Sequence, residues 1–416
     1  MRILFLAEAI NVDGTSAGLG SAKMIASLQS QGANVTCLHA DFSRNDFPYL
    51  NAKLIRIRNK ALSLHNLKHW LLKKLDTTFG LSFNKGYEAR TGYSHKFWHD
   101  VNMYTQQIQA LMETELFDLI FTRAKGSSFR MHAAMLKVQN TIPWVAYYHD
   151  PYPFSQYPEP YAYEVEGKSN MQEKLNVKII EKADYVYSPS SRLLHWLANF
   201  NPQVLEKGGV IPHPGYDFGV KVELELDASL EGKFLCLHAG TLLGVRNPNA
   251  LFSAWEVLQN ENEAFAENAR LMIVGTVEGH NLDYAAALGI LINKNRVPYF
   301  ESIALLKRAD VSIILEPEAI DHPFFPGKLA DNIHYGKTIL ALSSNNSGTR
   351  EVLSEDHPHI CNPMNATAIK SSLLSLFEDW NRGDLKATNA KVQIDSKSIF
   401  SKFEEIIASN KYNKVK

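Results

Sequence analysis

An α/β chain built on two open parallel sheets is predicted by three features of the sequence. Short β-rich apolar runs alternate with helical segments along most of its length, the pattern of parallel strands joined by helical crossovers. At 416 residues the chain is too long for one ordinary core, and two domains of about 200 residues each are expected. A Pro/Gly-containing stretch near the middle, Val210-Ile211-Pro212-His213-Pro214-Gly215-Tyr216-Asp217, suits an interdomain connection and puts the boundary near residue 215.

Composition narrows the function classes. The formal net charge is −1, without the basic excess that wholesale nucleic-acid binding needs, so no nucleic-acid partner is expected. Cys37, Cys236 and Cys361 lie far apart with no metal-ligand spacing and read as reduced, buried thiols of a cytoplasmic protein. Met1 to Leu6 reads as a strand rather than a signal peptide. No apolar run reaches the ~18 to 20 residues that span a bilayer. A soluble chain, or one resting on the inner face of a membrane, is expected.

In the N-terminal half, Arg2 to Ala7 suits a buried parallel strand, and Asn11 to Ser21 (NVDGTSAGLGS) reads as a Gly/Ser-rich loop before a helix from Ala22 to Gln31. Val35 to His39 is the next strand. Gly14, Gly18 and Gly20 do not fit G-x-G-x-x-G, so dinucleotide binding is not indicated. The segment Asn51 to Leu75 holds seven Lys or Arg and no acidic residue, with an apolar stripe through Leu62, Leu64, Leu67, Trp70, Leu71 and Leu75. Such a segment either lies on anionic lipid or packs its apolar side on the domain with its lysines in water. Helices are expected over Phe97 to Leu116 and Phe129 to Gln139, and strands over Asp118 to Thr122 and Trp144 to Tyr148. The last strand runs into His149-Asp150, a pair placed at the ligand edge of such a sheet, and then into an aromatic loop with Tyr152, Phe154, Tyr157, Tyr161 and Tyr163. Ala183 to Ser191 reads as a strand entering a helix N-cap.

The C-terminal half repeats the pattern. Strands are expected at Phe234 to His238, closed by Ala239-Gly240-Thr241, at Arg270 to Gly275, and at Val297 to Phe300, with helices over Leu251 to Leu258 and Ile303 to Arg308. The most informative stretch runs from Val311 to Leu353. It holds a strand to Leu315, a Pro-rich loop, a helix from about Gly327 to Tyr335 stopped by Gly336, a strand from Thr338 to Ser343, and a Ser/Asn/Gly loop before a helix at Thr349. Both loops belong to the carboxyl edge, where helix starts present N–H groups to anions.

Within that stretch, Pro326-Gly327-Lys328-Leu329-Ala330-Asp331, followed by Gly336-Lys337-Thr338-Ile339-Leu340, resembles a signature of retaining GT-B glycosyltransferases, especially family 4. The resemblance covers most of the C-terminal half well and the N-terminal half in outline. It implies an α/β GT-B fold, two Rossmann-like domains facing each other across a cleft. Residues 1–214 would form the acceptor-binding domain, 215–393 the nucleotide-sugar-binding domain, and 394–416 a final segment whose helix, Ile399 to Ala408, crosses back to the first.

The same resemblance implies the chemistry. The chain would move a sugar from a nucleoside diphosphate sugar to an acceptor hydroxyl, on a carbohydrate or lipid-linked acceptor, in polysaccharide or glycolipid synthesis. No metal or other cofactor would be needed. Asp331 would bond the ribose hydroxyls, Arg246 and Lys328 would neutralise the diphosphate, and His149 and Asp150 would sit near donor sugar and acceptor. Gly18, Gly20, Gly240, Thr241, Gly275 and Leu329 would lie along the nucleotide, with backbone near Tyr299 reading the base. A lipid-linked acceptor would bring 51–75 to a membrane surface. The chain departs from the family where Pro323 replaces a donor-contacting Glu and Thr241 replaces an Arg; Asp321 and His322 are nearby candidates for the first role. These departures keep two rivals open: a non-catalytic GT-B scaffold, and a nucleotide-sugar epimerase, which would want an acid/base carboxylate pair.

Overall fold

A computed structural model describes residues 1–44, 46–58, 70–71, 74–75, 78, 83–126, 128–162, 169–224, 228–293 and 295–413. Two compact units emerge: 1–157, 162–214 and 396–416 form the first, and 158–161 with 215–395 form the second. The segment 158–161, inside the span expected to form the first domain, belongs to the second unit.

The first unit holds seven parallel strands: β1 Arg2–Ala7, β2 Asn34–His39, β3 Lys53–Arg56, β4 Leu119–Arg123, β5 Trp144–Tyr147, β6 Tyr185–Ser188 and β7 Gly208–Val210. Their order is β3-β2-β1-β4-β5-β6-β7. The second holds β8 Phe234–Ala239, β9 Ala269–Val274, β10 Leu291–Asn293, β11 Val311–Leu315, β12 Thr338–Leu342 and β13 Ile360–Cys361, ordered β10-β9-β8-β11-β12-β13. Each sheet grows outward in both directions from its first strand. The switch points therefore fall between β1 and β4 and between β8 and β11, and ligands of such sheets bind beyond the carboxyl ends there. Both units are Rossmann-like, an α/β architecture.

Three aspartates lock the register. Asp118, Asp184 and Asp310 each stand just before a strand, and each carboxylate accepts an N–H from the first or second residue of a neighbouring one: Arg2 at 2.8 Å, Trp144 at 2.8 Å and Leu235 at 2.8 Å. Central strands are mostly apolar because both faces are covered, as in β4, β11 and β12, where every residue is buried. The final helix, Ser396–Asn413, clusters with the first unit, its Phe403 ring 5.1 Å from that of Phe121.

Three expectations are corrected. The Gly/Ser-rich loop is mostly helix: Ser16–Ser30 starts early because Thr15 caps it, its hydroxyl accepting from Gly18 N at 3.2 Å. Gly18 and Gly20 are thus helical rather than loop residues. Phe129 to Gln139 shortens to the helix Arg130–Met135. The strand expected at Val297 to Phe300 is instead β10, further back. Pro298 has extended ψ (151°) and opens the helix Tyr299–Arg308 directly after it, so Tyr299 is a first-turn helical residue.

Candidate functional site

At the carboxyl edge of the second sheet, beside its switch point, two glycines lie next to each other. Gly240 follows β8 and Gly275 follows β9. Gly240 N donates to Val274 O at 2.6 Å, and a Cβ on Gly275 would lie 2.6 Å from Gly240 O. A Cβ on Gly240 would lie 1.0 Å from Lys328 Nζ, so the ammonium occupies the space that the missing side chain leaves. Lys328 is the second residue of the helix Gly327–His334, which Gly336 stops at φ +61°. Gly275→Ala is expected to cost ~1–3 kcal/mol of stability because backbone obstructs it. Gly240→Ala should cost less, since the obstacle is a flexible side-chain end, but would expel the ammonium. Thermal melts of the two variants test the difference.

Arg246 joins Lys328 there. Its Nε donates to Tyr161 OH at 3.1 Å and its Nη1 to Thr241 O at 3.2 Å, both neutral partners. Among the described residues neither cation forms an ion pair. Burial, then Arg246, push the Lys328 ammonium down to about 7, with Asp331 opposing. Asp331, one turn on, is buried and accepts from Tyr299 OH at 3.0 Å; burial and Asp331 push that phenol well up. His238, on β8, lies beneath. Its Nδ1 is 3.0 Å from Ile313 O, and a carbonyl only accepts, so the proton sits on Nδ1. Nε2 is then a buried lone pair without a partner, and burial and Lys328 hold the ring neutral, down to about 3.

Other groups expected here are already engaged. Leu329 is fully buried among Phe325, Ile339 and Val352, and its N–H donates to Pro326 O at 2.9 Å. At the short helix Gly348–Leu353, Gly348 N donates to His322 O at 2.8 Å and Ser347 caps Arg350 N at 3.2 Å. His322 is buried with its Nδ1 3.1 Å from Glu316 Oε1, and Ser343 Oγ donates to the other oxygen. Burial raises the Glu316 pKa, but His322 and Ser343 more than offset this, leaving it below the ordinary value. Asp321 is exposed.

The first unit gathers His149, Asp150 and Gly20 around a residue the sequence reading passed over. Arg123, ending β4, is 1% exposed, and its Nε and Nη1 have no hydrogen-bond partner. Its guanidinium lies 5.1 Å from the Tyr147 ring, and a Cβ on Gly20 would lie 2.1 Å from Nη2. His149 Nε2 is 3.2 Å from Asp150 Oδ2. Burial, then Arg123, push the His149 imidazole well below its ordinary value, while burial raises Asp150 to about 6 against the pull of Arg123. His213, buried after β7, is likewise held neutral by burial and Arg123. Arg123→Met removes a buried unpaired charge, so the fold should be at least as stable. The Asp150 titration near 6 should move upward; carboxylate NMR against pH reads it. The sequence signal was available: a charge closing the apolar strand Leu119–Arg123.

Most of the basic segment 51–75, with the proposed membrane contact, lies outside the described residues, as does Tyr163. Among the described residues no helix is long and apolar enough to cross a membrane, and no cluster of His, Cys, Asp or Glu suits a metal ion.

No protein-family model matches the chain, and no curated protein does. Solved structures do match. Anabaena HepE in complex with UDP and glucose is similar over 98% of this chain and 100% of its own, at 15% identity and a TM-score of 0.59. A glycosyltransferase from Rickettsia africae is similar over 98% of both chains at 12% identity, with a TM-score of 0.60. The trehalose 6-phosphate synthase of Burkholderia multivorans is similar over 98% of both at 11% identity, with a TM-score of 0.58. These likenesses establish the GT-B fold.

Proposed function

We propose that the chain is a retaining glycosyltransferase that moves a sugar from a nucleoside diphosphate sugar to an acceptor hydroxyl without a metal. The observation that carries this reading is the pair of cations, Lys328 and Arg246, which form no salt bridge among the described residues and lie beyond the end of β8, with the Lys328 ammonium over Gly240. A half-buried ammonium whose charge the site disfavours is costly to maintain, and a diphosphate is the ligand that repays both charges. Asp331 takes the ribose hydroxyls. The resemblance of the Pro326 to Leu340 segment, and the UDP held by HepE on a similar fold, support the same assignment.

In the transfer, the bond from the anomeric carbon to the diphosphate oxygen breaks and a bond to the acceptor oxygen forms on the same face. The acceptor proton passes to the departing diphosphate. Lys328 and Arg246 meet the charge that grows on the leaving oxygens, so protein catalysis is mainly electrostatic. His149, kept neutral, donates or accepts at a sugar hydroxyl with Asp150 orienting it. Pro323 brings no carboxylate to the donor sugar, and Thr241 leaves Arg246 and Lys328 as the cations of the site.

A thermal-shift panel of nucleoside diphosphates and their sugars tests the reading, because a ligand that binds the native state raises apparent stability. Stabilisation by a diphosphate, with free nucleotide released when acceptor is added, supports transfer. Stabilisation by none favours a scaffold. The pH dependence has a definite sign. Lys328 sits near 7 without ligand and must be charged to bind a phosphate. Affinity should therefore be flat below that pH and fall by up to about tenfold per unit above it, with proton uptake on binding. Calorimetry in buffers of different ionisation enthalpy measures both.

A further inference from the structure

Two residues before Gly240, His238 directs its imidazole to the face of β8 on which the Lys328 ammonium fills the space over that glycine. The ring is 4% exposed, and its Nδ1–H donates to Ile313 O, on the neighbouring strand β11, at 3.0 Å. That bond fixes the tautomer and leaves Nε2 as an unprotonated lone pair. Nε2 is buried and has no donor among the described residues. An open buried acceptor costs stability, and an apolar side chain of similar shape would fill the place without that cost. The charged groups acting on the ring are Lys328, on the helix Gly327–His334, and Arg246, in the loop after β8. Asp331 acts on Lys328 from one turn further along the same helix.

We infer that His238 is a positioning residue of the diphosphate site: its Nε2 lone pair takes one N–H of the Lys328 ammonium when phosphate oxygens take the other two. The inference rests on the reading of Lys328 proposed above. An ammonium carries three donors and no acceptor, so one can be spent on orientation while two meet the ligand. A carboxylate in the place of His238 would pair with the ammonium and compete with the diphosphate for its charge. A neutral imidazole aims the ammonium and leaves the charge intact. The locked tautomer is essential, because an Nε2–H would turn a donor toward a cation. Burial and Lys328 hold the ring neutral, down to about 3, so the lone pair persists through the range in which Lys328 gains its proton.

The test uses the full chain with ¹⁵N-labelled histidine, titrated with inorganic pyrophosphate at pH 6, where Lys328 is charged. Without ligand, His238 should show a protonated Nδ1 and an unprotonated Nε2, assigned by their loss in His238→Gln. Saturating pyrophosphate should move the Nε2 resonance upfield, as for a nitrogen that has gained a donor. His238→Phe keeps a ring and loses the lone pair, so pyrophosphate affinity should fall about tenfold. His238→Gln returns an acceptor oxygen near the Nε2 position and should recover affinity to within about threefold of the parent, a rescue that packing alone would not give. The spectrum of the parent chain decides the matter even if His238→Phe does not fold. An Nε2-protonated ring, an Nε2 resonance unmoved by bound pyrophosphate, or unchanged affinity in His238→Phe overturns the inference alone. Absence of any pyrophosphate or UDP binding to the parent chain overturns the transferase reading, and this inference with it.

Discussion

Lys328→Met is expected to weaken UDP binding about 10- to 100-fold, the loss of one hydrogen bond to a charged group at ~1.5–3 kcal/mol. Transfer should fall further, by about 10²–10³, because charge on the leaving diphosphate peaks in the transition state. Met preserves the length of the stem that packs over Gly240 and removes a charge the site disfavours, since burial already brings Lys328 down to about 7. The ligand-free protein should be as stable as before, or more so. Calorimetry and thermal melts on one preparation separate lost recognition from lost folding. A Lys328→Met variant that keeps UDP affinity would remove the ammonium from the site.

Asp331→Ala is expected to separate the two ends of the nucleotide. UDP affinity should drop by about 10- to 100-fold with the carboxylate gone from the ribose hydroxyls, whereas inorganic pyrophosphate should bind as before. A stability cost accompanies it. Tyr299 donates to Asp331 at 3.0 Å in a buried setting, and an orphaned phenol costs ~1–3 kcal/mol. Asp331→Asn restores an acceptor for Tyr299 and should recover most of that loss while leaving UDP binding impaired. Competition of UDP and pyrophosphate against a fluorescent nucleotide measures both affinities.

The fold was legible where physics is local. Apolar runs such as Val311–Leu315 and Thr338–Leu342 can only be covered strands at that length, and Gly336 stops a helix because its φ is +61°. The extra turn and a half of the helix Ser16–Ser30 was missed because three glycines outweighed the Thr15 cap in a propensity reading. Leu291–Asn293 is a three-residue strand, too short to show a period. Around Lys328, the motif named residues one turn apart, and Arg246 and Gly240 lie beyond the end of the same strand, β8. Arg123 and His238 were not legible, because they depend on which strand ends become neighbours. The crossover order sets that, and only long-range packing decides it. Arg123 left one trace, a charge closing the otherwise mostly apolar strand β4.

The most direct test of the central claim is a crystal structure of the chain with UDP. The account predicts pyrophosphate oxygens within hydrogen-bond distance of Lys328 Nζ and the Arg246 guanidinium, and ribose hydroxyls on the Asp331 carboxylate. UDP bound away from these three side chains, or their finding partners within the protein while UDP sits elsewhere, would contradict it.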